Sequence, residues 1–587
     1  MGTPERRSRS YMVLIPKKPG ATAVTDFRPI CLQNCNIKIA AKSLTTRLQA
    51  EIEQLIDIDQ TGFIKGRTIS DNFVYATELV QTCYKRKTPT LVRKLDFAKA
   101  FNTVSWQSLL RILEARGFDA KWRQWIEQRL SSSLTTILVN GTPGPWFTCQ
   151  RGLWQGDPLS PYLFLLVADV LRTLIKSDGL IRHPILDDTT CPTLQYADDT
   201  LIVLRGATAD VRRLKETLNQ FSEATGLHIN YHKSTAVPMN MDRGVLSECL
   251  NILGCRQEGF PQTYLGLPLS CHKLRISAYD PYICRADRYL SGWQAALLIP
   301  MGRTILINTV LDGQLGHLMS VMLLPAGVIT QFDKRRRSFL WSGDNAAKGV
   351  NCLVAWNRVR HDKEHGGLGI KDLGIQNTCL LLKLIHRLHS VTDSSWSTWV
   401  RGQVNLANME GTLEGAHWES MRALLPIYQA ITTVKLDDGT STSFWMDIWD
   451  GDDSRRTSSP PCSATAGKKS LGERNRQGWT SATPCAVPHA CRPRRTPASE
   501  RYHQSDYARE YSRCALKPLR VARWKTPHWL PVPNAERLRL RAKPSCYIHL
   551  AQPRAAESPL LCLATDFQQN SNQSQPSAQD SGGQRHL

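Results

Sequence analysis

The chain has 587 residues, 41% of them hydrophobic, and a net charge of +23 from 74 Lys+Arg against 51 Asp+Glu. There is room for several domains and ordinary material for a core. The basic excess implies a polyanionic partner, nucleic acid before an acidic membrane surface, because no basic amphipathic helix stands out. No apolar run reaches membrane-spanning length and the start lacks the apolar core of a signal peptide, so the expectation is a soluble, intracellular protein without a membrane partner. The 17 cysteines contain no Cys-x-x-Cys pair and read as free thiols in a reducing compartment.

Tyr11 to Pro16 reads as a strand running into a Pro/Gly turn, and Asp26 to Ile30 as a second extended segment. Lys17, Lys18 and Arg28 on such a flap are suited to clamping phosphates, with plain surface charge as the alternative. Apolar residues at Ile37, Ala40, Ala41, Leu44, Leu48 and Ile52 predict a helix over 37–56. Gln60 to Arg67 is a glycine-punctuated basic loop whose Lys65, Arg67 and Phe63 suit a nucleic-acid backbone. A helix is expected over 71–83 after it.

Leu91 to Leu95 is strand-like and ends at Asp96, with helix signals from Ser105 to Ala115. An acid at the carboxyl end of such a strand is placed for a metal or ligand; a helix N-cap is the alternative. Phe101, five residues on, stays close to it. Gln150 to Pro161 is a Gly/Pro-rich loop opening an apolar helix over about 162–175, a form that lets backbone approach a nucleotide closely. Tyr196-Ala-Asp198-Asp199 precedes the β-branched run Thr200 to Val203 and reads as a hairpin turn. Two carboxylates held together at a tight turn repel unless a cation lies between them. The competing reading is a solvated Asp-Asp turn.

Thr208 to Ala224 is a helix with Val211, Leu214, Leu218 and Phe221 on its core face, Thr208 or Asp210 as cap, and Gly226 as its stop. Tyr264 to Leu269 is a short apolar strand with a turn. From Arg275 to Trp341 the chain reads as helical, and Trp293, Arg303, Lys334, Arg335, Arg336 and Arg337 suggest a lobe lying along a duplex, against the commoner solvated face. Gly366 to Leu373 is a turn rather than a phosphate loop. Beyond about Gly451 the composition changes: 22 Lys+Arg against 10 Asp+Glu supply +12 of the charge, and 14 of 32 prolines fall there. That composition is expected to be disordered, or the product of a shifted reading frame.

Seven motifs in one order resemble the reverse transcriptase of non-LTR (LINE-type) retrotransposons, particularly those of plants. They are Leu14-Ile-Pro-Lys17, Phe27-Arg-Pro-Ile30, Gln60-x-Gly-Phe63-x-x-Gly-Arg67, Asp96-Phe-Ala-Lys-Ala-Phe101, Arg151-Gly-x-x-Gln-Gly-Asp-Pro-Leu-Ser-Pro161, Tyr196-Ala-Asp-Asp199 and Tyr264-Leu-Gly-Leu-Pro-Leu269. The resemblance covers residues 11 to 450 and implies an α+β right-hand polymerase of fingers, palm and thumb, with a helical C-terminal lobe and a disordered tail. The expected divisions are partial fingers over 1–70, palm with fingers elements over 71–240, thumb-like helices over 241–345, a C-terminal helical segment over 346–450 and the tail over 451–587.

The resemblance implies RNA-directed DNA synthesis, by in-line attack of a DNA 3′-hydroxyl on the α-phosphate of a deoxynucleoside triphosphate. Asp96, Asp198 and Asp199 would hold two Mg2+ ions, with Mn2+ as a substitute. Arg28 and Lys17 would neutralise the triphosphate, Phe101 would exclude a 2′-hydroxyl, and Gln155 and Gly156 would lie against the nascent base pair. Lys233 would assist the leaving pyrophosphate, and Lys65, Arg67 and Arg151 would contact nucleic acid. Partners would be an RNA template, a DNA primer or target and dNTPs, with no small-molecule cofactor; the compartment would be the nucleus, or the cytoplasm. Against the family, the chain would be expected to lack the usual preceding endonuclease and part of the fingers, and it departs in Trp154 where a basic or small polar residue is usual, and in its C-terminal segment. A catalytically impaired remnant that only binds nucleic acid is the alternative, and a maturase-like splicing cofactor a third reading.

Overall fold

The computed structural model describes residues 9–292, 297–343, 352–390, 394–434 and 446–447. Trp293, most of the segment 443–450 and the expected tail at 451–587 lie outside the described residues. In chain order come β1 (Arg9–Pro16), β2 (Phe27–Gln33), α1 (Cys35–Leu55), α2 (Ile69–Lys85), β3 (Thr90–Leu95) and the short α3 (Ala100–Thr103). Then follow α4 (Trp106–Ala115), α5 (Ala120–Ser131), β4 (Leu134–Val139), β5 (Thr142–Pro143), β6 (Phe147–Thr148), α6 (Ser160–Asp178), β7 (Thr193–Tyr196), β8 (Asp199–Arg205), α7 (Thr208–Thr225) and β9 (Thr235–Met239).

Two sheets organise these elements. In the first, β1 pairs antiparallel with β2 and parallel with β4, so the opening strand has a partner on each side. The β4 partner was not legible in the sequence, because Leu134-Thr-Thr-Ile-Leu-Val139 is short and lies more than a hundred residues away. The second sheet has the order β10-β9-β3-β8-β7, where β10 is Arg256–Gln257. Its middle strands are buried on both faces; β8 accordingly reads as a continuous apolar run over residues 201–204, whereas β3 carries Arg93 and Lys94 among its apolar residues. Val92, Leu201 and Val203 pack on one face against Phe73, Leu79 and Val80 of α2. Leu91, Leu95, Ile202 and Leu204 pack on the other against Leu163 and Phe164 of α6 and Val211, Leu214 and Phe221 of α7. This is the two-residue alternation of strands meeting the helical spacing of their covers.

After α8 (Arg243–Leu253) and the hairpin β11 (Gln262–Tyr264) and β12 (Leu267–Leu269), the described chain is mainly helical. Four helices lead: α9 (Asp280–Gly292), α10 (Pro300–Leu306), α11 (Asp312–Met319) and α12 (Ala326–Ser342). The expectation that their basic run faces a duplex needs correction. Arg336 is buried, with its guanidinium on Asp312, Asp333 and the Lys371 carbonyl. Arg335 makes a bidentate pair with Asp287 at 2.6 and 2.9 Å, and Arg303 donates to the carbonyls of Leu298, Leu340 and Trp341. Lys334 and Arg337 remain exposed.

The last described helices are α13 (Trp356–Arg360), α14 (Leu373–His389), α15 (Ser395–Arg401), α16 (Ala416–Ala423) and α17 (Leu425–Ile431). They return to α2. Arg387 of α14 bonds Asp71 at 2.6 Å and Thr68 at 2.8 Å, and buried His417 of α16 bonds Glu78. No described helix is long and apolar enough to cross a membrane.

Candidate active site

The hairpin of β7 and β8 turns at Ala197 and Asp198, closed by the pair Tyr196 and Asp199. Ala197 has φ +54°, the positive value that the first position of a primed hairpin turn requires. Asp198 thus sits at the tip and Asp199 opens the strand. In the neighbouring pair, Leu95 of β3 lies opposite Thr200 of β8. One residue further along this antiparallel register, Asp96 comes opposite Asp199. The ladder therefore brings Asp96 to two adjacent carboxylates that lie a hundred residues further along the sequence.

Their electrostatics agree with this closeness. Partial burial raises the Asp198 pKa above the ordinary carboxylate value, a backbone hydrogen bond opposes this, and the charges of Asp199 and Asp96 raise it further. Asp199 is also raised by burial, with Lys94 pulling it down and Asp96 pushing it up. Negative charge that raises its neighbours' pKa values is what a cation would relieve. Carboxylate oxygens are the hard donors that magnesium or manganese takes. Among the described residues no three His, Cys, Asp or Glu side chains close tightly enough to hold a metal alone. The donor set fits a divalent ion whose other ligands are substrate oxygens and water, the usual pattern for magnesium.

Asp96 is fixed through its backbone. Its N–H donates to the Ser234 hydroxyl at 3.1 Å, its carbonyl accepts from Asn230 N–H at 2.8 Å, and the same hydroxyl donates to the Asn230 carbonyl at 2.8 Å. Exposed Lys233 lies in the same turn, between Asn230 and Ser234. Asp96 is not a helix cap: α3 begins four residues later, at Ala100.

The glycine loop is stitched to α3 on one side and to β2 on the other. Gly152 N–H donates to the Val104 carbonyl at 2.8 Å, and Leu153 N–H to the Phe101 carbonyl at 2.6 Å. A Cβ on Gly152 would lie 2.7 Å from the Asn102 carbonyl oxygen, which explains the glycine. The Gln155 carbonyl accepts from Cys31 N–H of β2 at 2.8 Å. Gly156, at φ +102°, stands so close that a Cβ would be 3.2 Å from the Cys31 carbonyl. Arg151 and Gln155 line a cavity of about 150 Å³ with Pro29, Cys31 and Asn102. The Phe101 ring stacks on Phe164 at 4.7 Å and 15°. Trp154 points inward, 5% exposed, with the Arg129 guanidinium 5.7 Å from its ring centre.

The remaining expected residues divide by how their charge is used. Arg28 and Lys65 are exposed, and Lys17 donates to the Thr25 carbonyl at 2.8 Å across the β1–β2 turn. Arg67 differs: its guanidinium donates to the carbonyls of Glu53, Ile56, Asp57 and Gln60, so it staples its own loop.

Three functional contributions were not read from the sequence. Asp157 caps α6, accepting from Leu159 N–H, Ser160 N–H and the Ser160 hydroxyl, and pairs with Arg129. Ser234 holds Asp96. Gln60, fully buried, holds the Ala197 peptide. For Gln60 the available signal was its fixed spacing to Gly62.

The family described as reverse transcriptase (RNA-dependent DNA polymerase) matches residues 15–268, which span all of these site residues. Over 373 residues the chain is 32% identical to a Pol polyprotein of a type-1 retrotransposable element R2 from Popillia japonica, covering 61% of this chain and 50% of the relative. It is 26% identical over 406 residues to the transposon TX1 uncharacterized 149 kDa protein of Xenopus laevis, covering 66% and 29%. It is also 26% identical over 415 residues to the R2DM Pol polyprotein of Drosophila melanogaster, covering 69% and 37%. The chain thus spans half or less of the length of these relatives. Among solved structures, an apo telomerase from Candida Tropicalis aligns with TM-score 0.36 and 12% identity over 68% of this chain and 70% of that one. Reverse transcriptases generally use divalent metal ions. Residues 15–268 thus match the reverse transcriptase family, and the chain is similar over most of its described length to Pol proteins of R2 retrotransposable elements.

Proposed function

We propose that the chain is an RNA-directed DNA polymerase that adds deoxynucleotides to a DNA 3′-hydroxyl on an RNA template. The observation that carries this is the register placing Asp96 opposite Asp199, one residue from Asp198 at the turn. Asp96, Asp198 and Asp199 would hold two magnesium ions, or manganese in their place. Bound there, the metals would supply charge stabilisation for the attacking and leaving oxygens of an in-line displacement.

The chain's own groups do the rest. Arg28, exposed on β2, and Lys17 at its turn offer positive charge to a triphosphate, and Lys233 would offer it from the turn that holds the Asp96 backbone. Phe101, held flat on Phe164, presents a fixed ring to the sugar, where a 2′-hydroxyl would collide. Gln155 and Gly156, anchored to β2, form a rigid wall for the base pair. Arg151 and Lys65 are free for the backbone of the template or primer, whereas Arg67 acts by shaping its loop. The first sheet with α1 would be the fingers, the second sheet with α2, α6 and α7 the palm, and α9 to α12 the thumb.

Primer extension on an RNA template with magnesium tests the reading, comparing the natural chain with Asp198→Ala. Extension by the natural chain and none by the variant is expected. Equal and negligible synthesis by both would overturn the catalytic reading in favour of a nucleic-acid-binding remnant.

A further inference from the structure

We propose that Gln60 is a positioning residue of the active site, whose buried amide fixes the Ala197 peptide and thereby the aim of Asp198; this rests on the polymerase reading above. Gln60 Oε1 accepts from Ala197 N–H at 2.8 Å and from Gly62 N–H at 3.0 Å, and Nε2 lies 3.4 Å from the Ala197 carbonyl oxygen. One side chain thus engages both ends of the turn's first residue. That residue is an alanine at φ +54°, a conformation that residues with a Cβ disfavour. An outside brace is what keeps such a turn in a single state.

The brace is itself held. Thr61 N–H donates to the Gln195 carbonyl at 2.9 Å and Gln195 N–H to the Asp59 carbonyl at 3.0 Å, so Gln60 forms an isolated parallel bridge with Gln195 of β7. Asn72 of α2 donates to both the Asp59 carbonyl, at 3.1 Å, and the Gln195 carbonyl, at 2.8 Å. Arg67 closes the loop on the Gln60 carbonyl at 2.8 Å. Asn72 thus holds the segment flanking Gln60, and the Gln60 side chain bonds the backbone of Ala197, the residue before Asp198.

The test compares Gln60→Met with Gln81→Met. Both remove a buried amide, but Gln81 bonds Ser270 and His417, away from the turn. In primer extension, Gln60→Met should lower kcat by roughly 10- to 100-fold with the dNTP KM within about threefold, since misplacement of a reacting group by about 1 Å can cost two orders of magnitude. Gln81→Met should keep kcat within about twofold at a similar loss of thermal stability. Hydrogen–deuterium exchange over residues 194–201 reads the brace without activity: Gln60→Met should lose protection there and Gln81→Met should not. Unchanged kcat and protection in Gln60→Met, or equal losses in both variants, would overturn the proposal. A natural chain that makes no product would overturn the polymerase reading instead, and the exchange comparison would still decide whether Gln60 holds the turn.

Discussion

Gly62→Ala is the most informative single methyl that can be added to this protein. A Cβ at residue 62 would lie 2.6 Å from Ala197 N, 3.1 Å from Gln60 Oε1 and 3.3 Å from the Tyr196 carbonyl carbon. The first and third neighbours are backbone and cannot rotate away. The contact with Ala197 N becomes ordinary only at 3.4 Å, so loop and hairpin must separate by roughly 0.8 Å. Two effects oppose each other in stability. Overpacking costs ~1–3 kcal/mol, while the stiffer unfolded chain returns about 0.4–1 kcal/mol, because residue 62 has no positive φ to forbid alanine. The net loss is ~1–2 kcal/mol, too little to unfold a domain of ordinary stability. The turn that carries Asp198 moves by most of an ångström, which should cost about 10- to 100-fold in the rate of nucleotide addition. Single-turnover primer extension, with a melting curve alongside, checks this. Gly259→Ala, whose Cβ would meet nothing within 4 Å, is the control. A Gly62→Ala protein extending primers within twofold of the natural rate would refute the reasoning.

Other predictions follow from named contacts. Asp198 has a raised pKa in the folded state, so the fold binds its proton more tightly than the unfolded chain does, and stability falls as pH rises through the carboxylate range. Asp198→Asn should therefore melt higher than the natural chain at neutral pH, with the gap closing below the ordinary aspartate pKa of 3.8; magnesium should raise the natural melting temperature more than the variant's. Burial alone would depress the His417 pKa, but Glu78 and the Val321 carbonyl outweigh it and hold it above the ordinary value. Its contribution is thus fully present below the ordinary imidazole range and lost as pH rises through the raised pKa. Protection of α16 against hydrogen exchange, corrected for intrinsic rate, should fall on the alkaline side in the natural chain and stay flat in His417→Gln. Gly313 lies inside α11, and a Cβ added there would meet nothing within 4 Å, so substitution by alanine should gain ~0.5–1 kcal/mol, read as a higher denaturant midpoint.

How legible this was depended on how local each signal is. The helices at 35–55, 160–178 and 208–225 repeat apolar residues within a few turns, and their spacing alone found them to within a few residues. Asp96, Phe101, Asp198 and Asp199 stood out because their motifs are contiguous strings. Pairings between distant segments left no such trace. β4 beside β1, and the return of α14 and α16 to α2, depend on contacts more than a hundred residues apart. The role of charged residues was also hidden, since a sequence shows that Arg67, Arg335 and Arg336 are basic but not that each meets carbonyls or carboxylates of its own chain. Composition thus overstated the surface available to a duplex.

The same distinction bears on how the site works. Three like charges and a left-handed alanine are each unfavourable where they stand, so the hairpin tip would not hold its shape from local propensity. What fixes it comes from three other places: Ser234 and Asn230 on the backbone of Asp96, the Gln60 loop on Ala197, and the β3–β8 ladder that aligns the two. None of these groups bears a charge that could compete for a cation, and each acts through neutral hydrogen bonds. In the proposed polymerase the arrangement would separate holding from binding: neutral amides and a hydroxyl set the positions, and the carboxylates are left to the cations. A substitution among the neutral braces should therefore change the turnover rate before it changes affinity, whereas one among the carboxylates should change both.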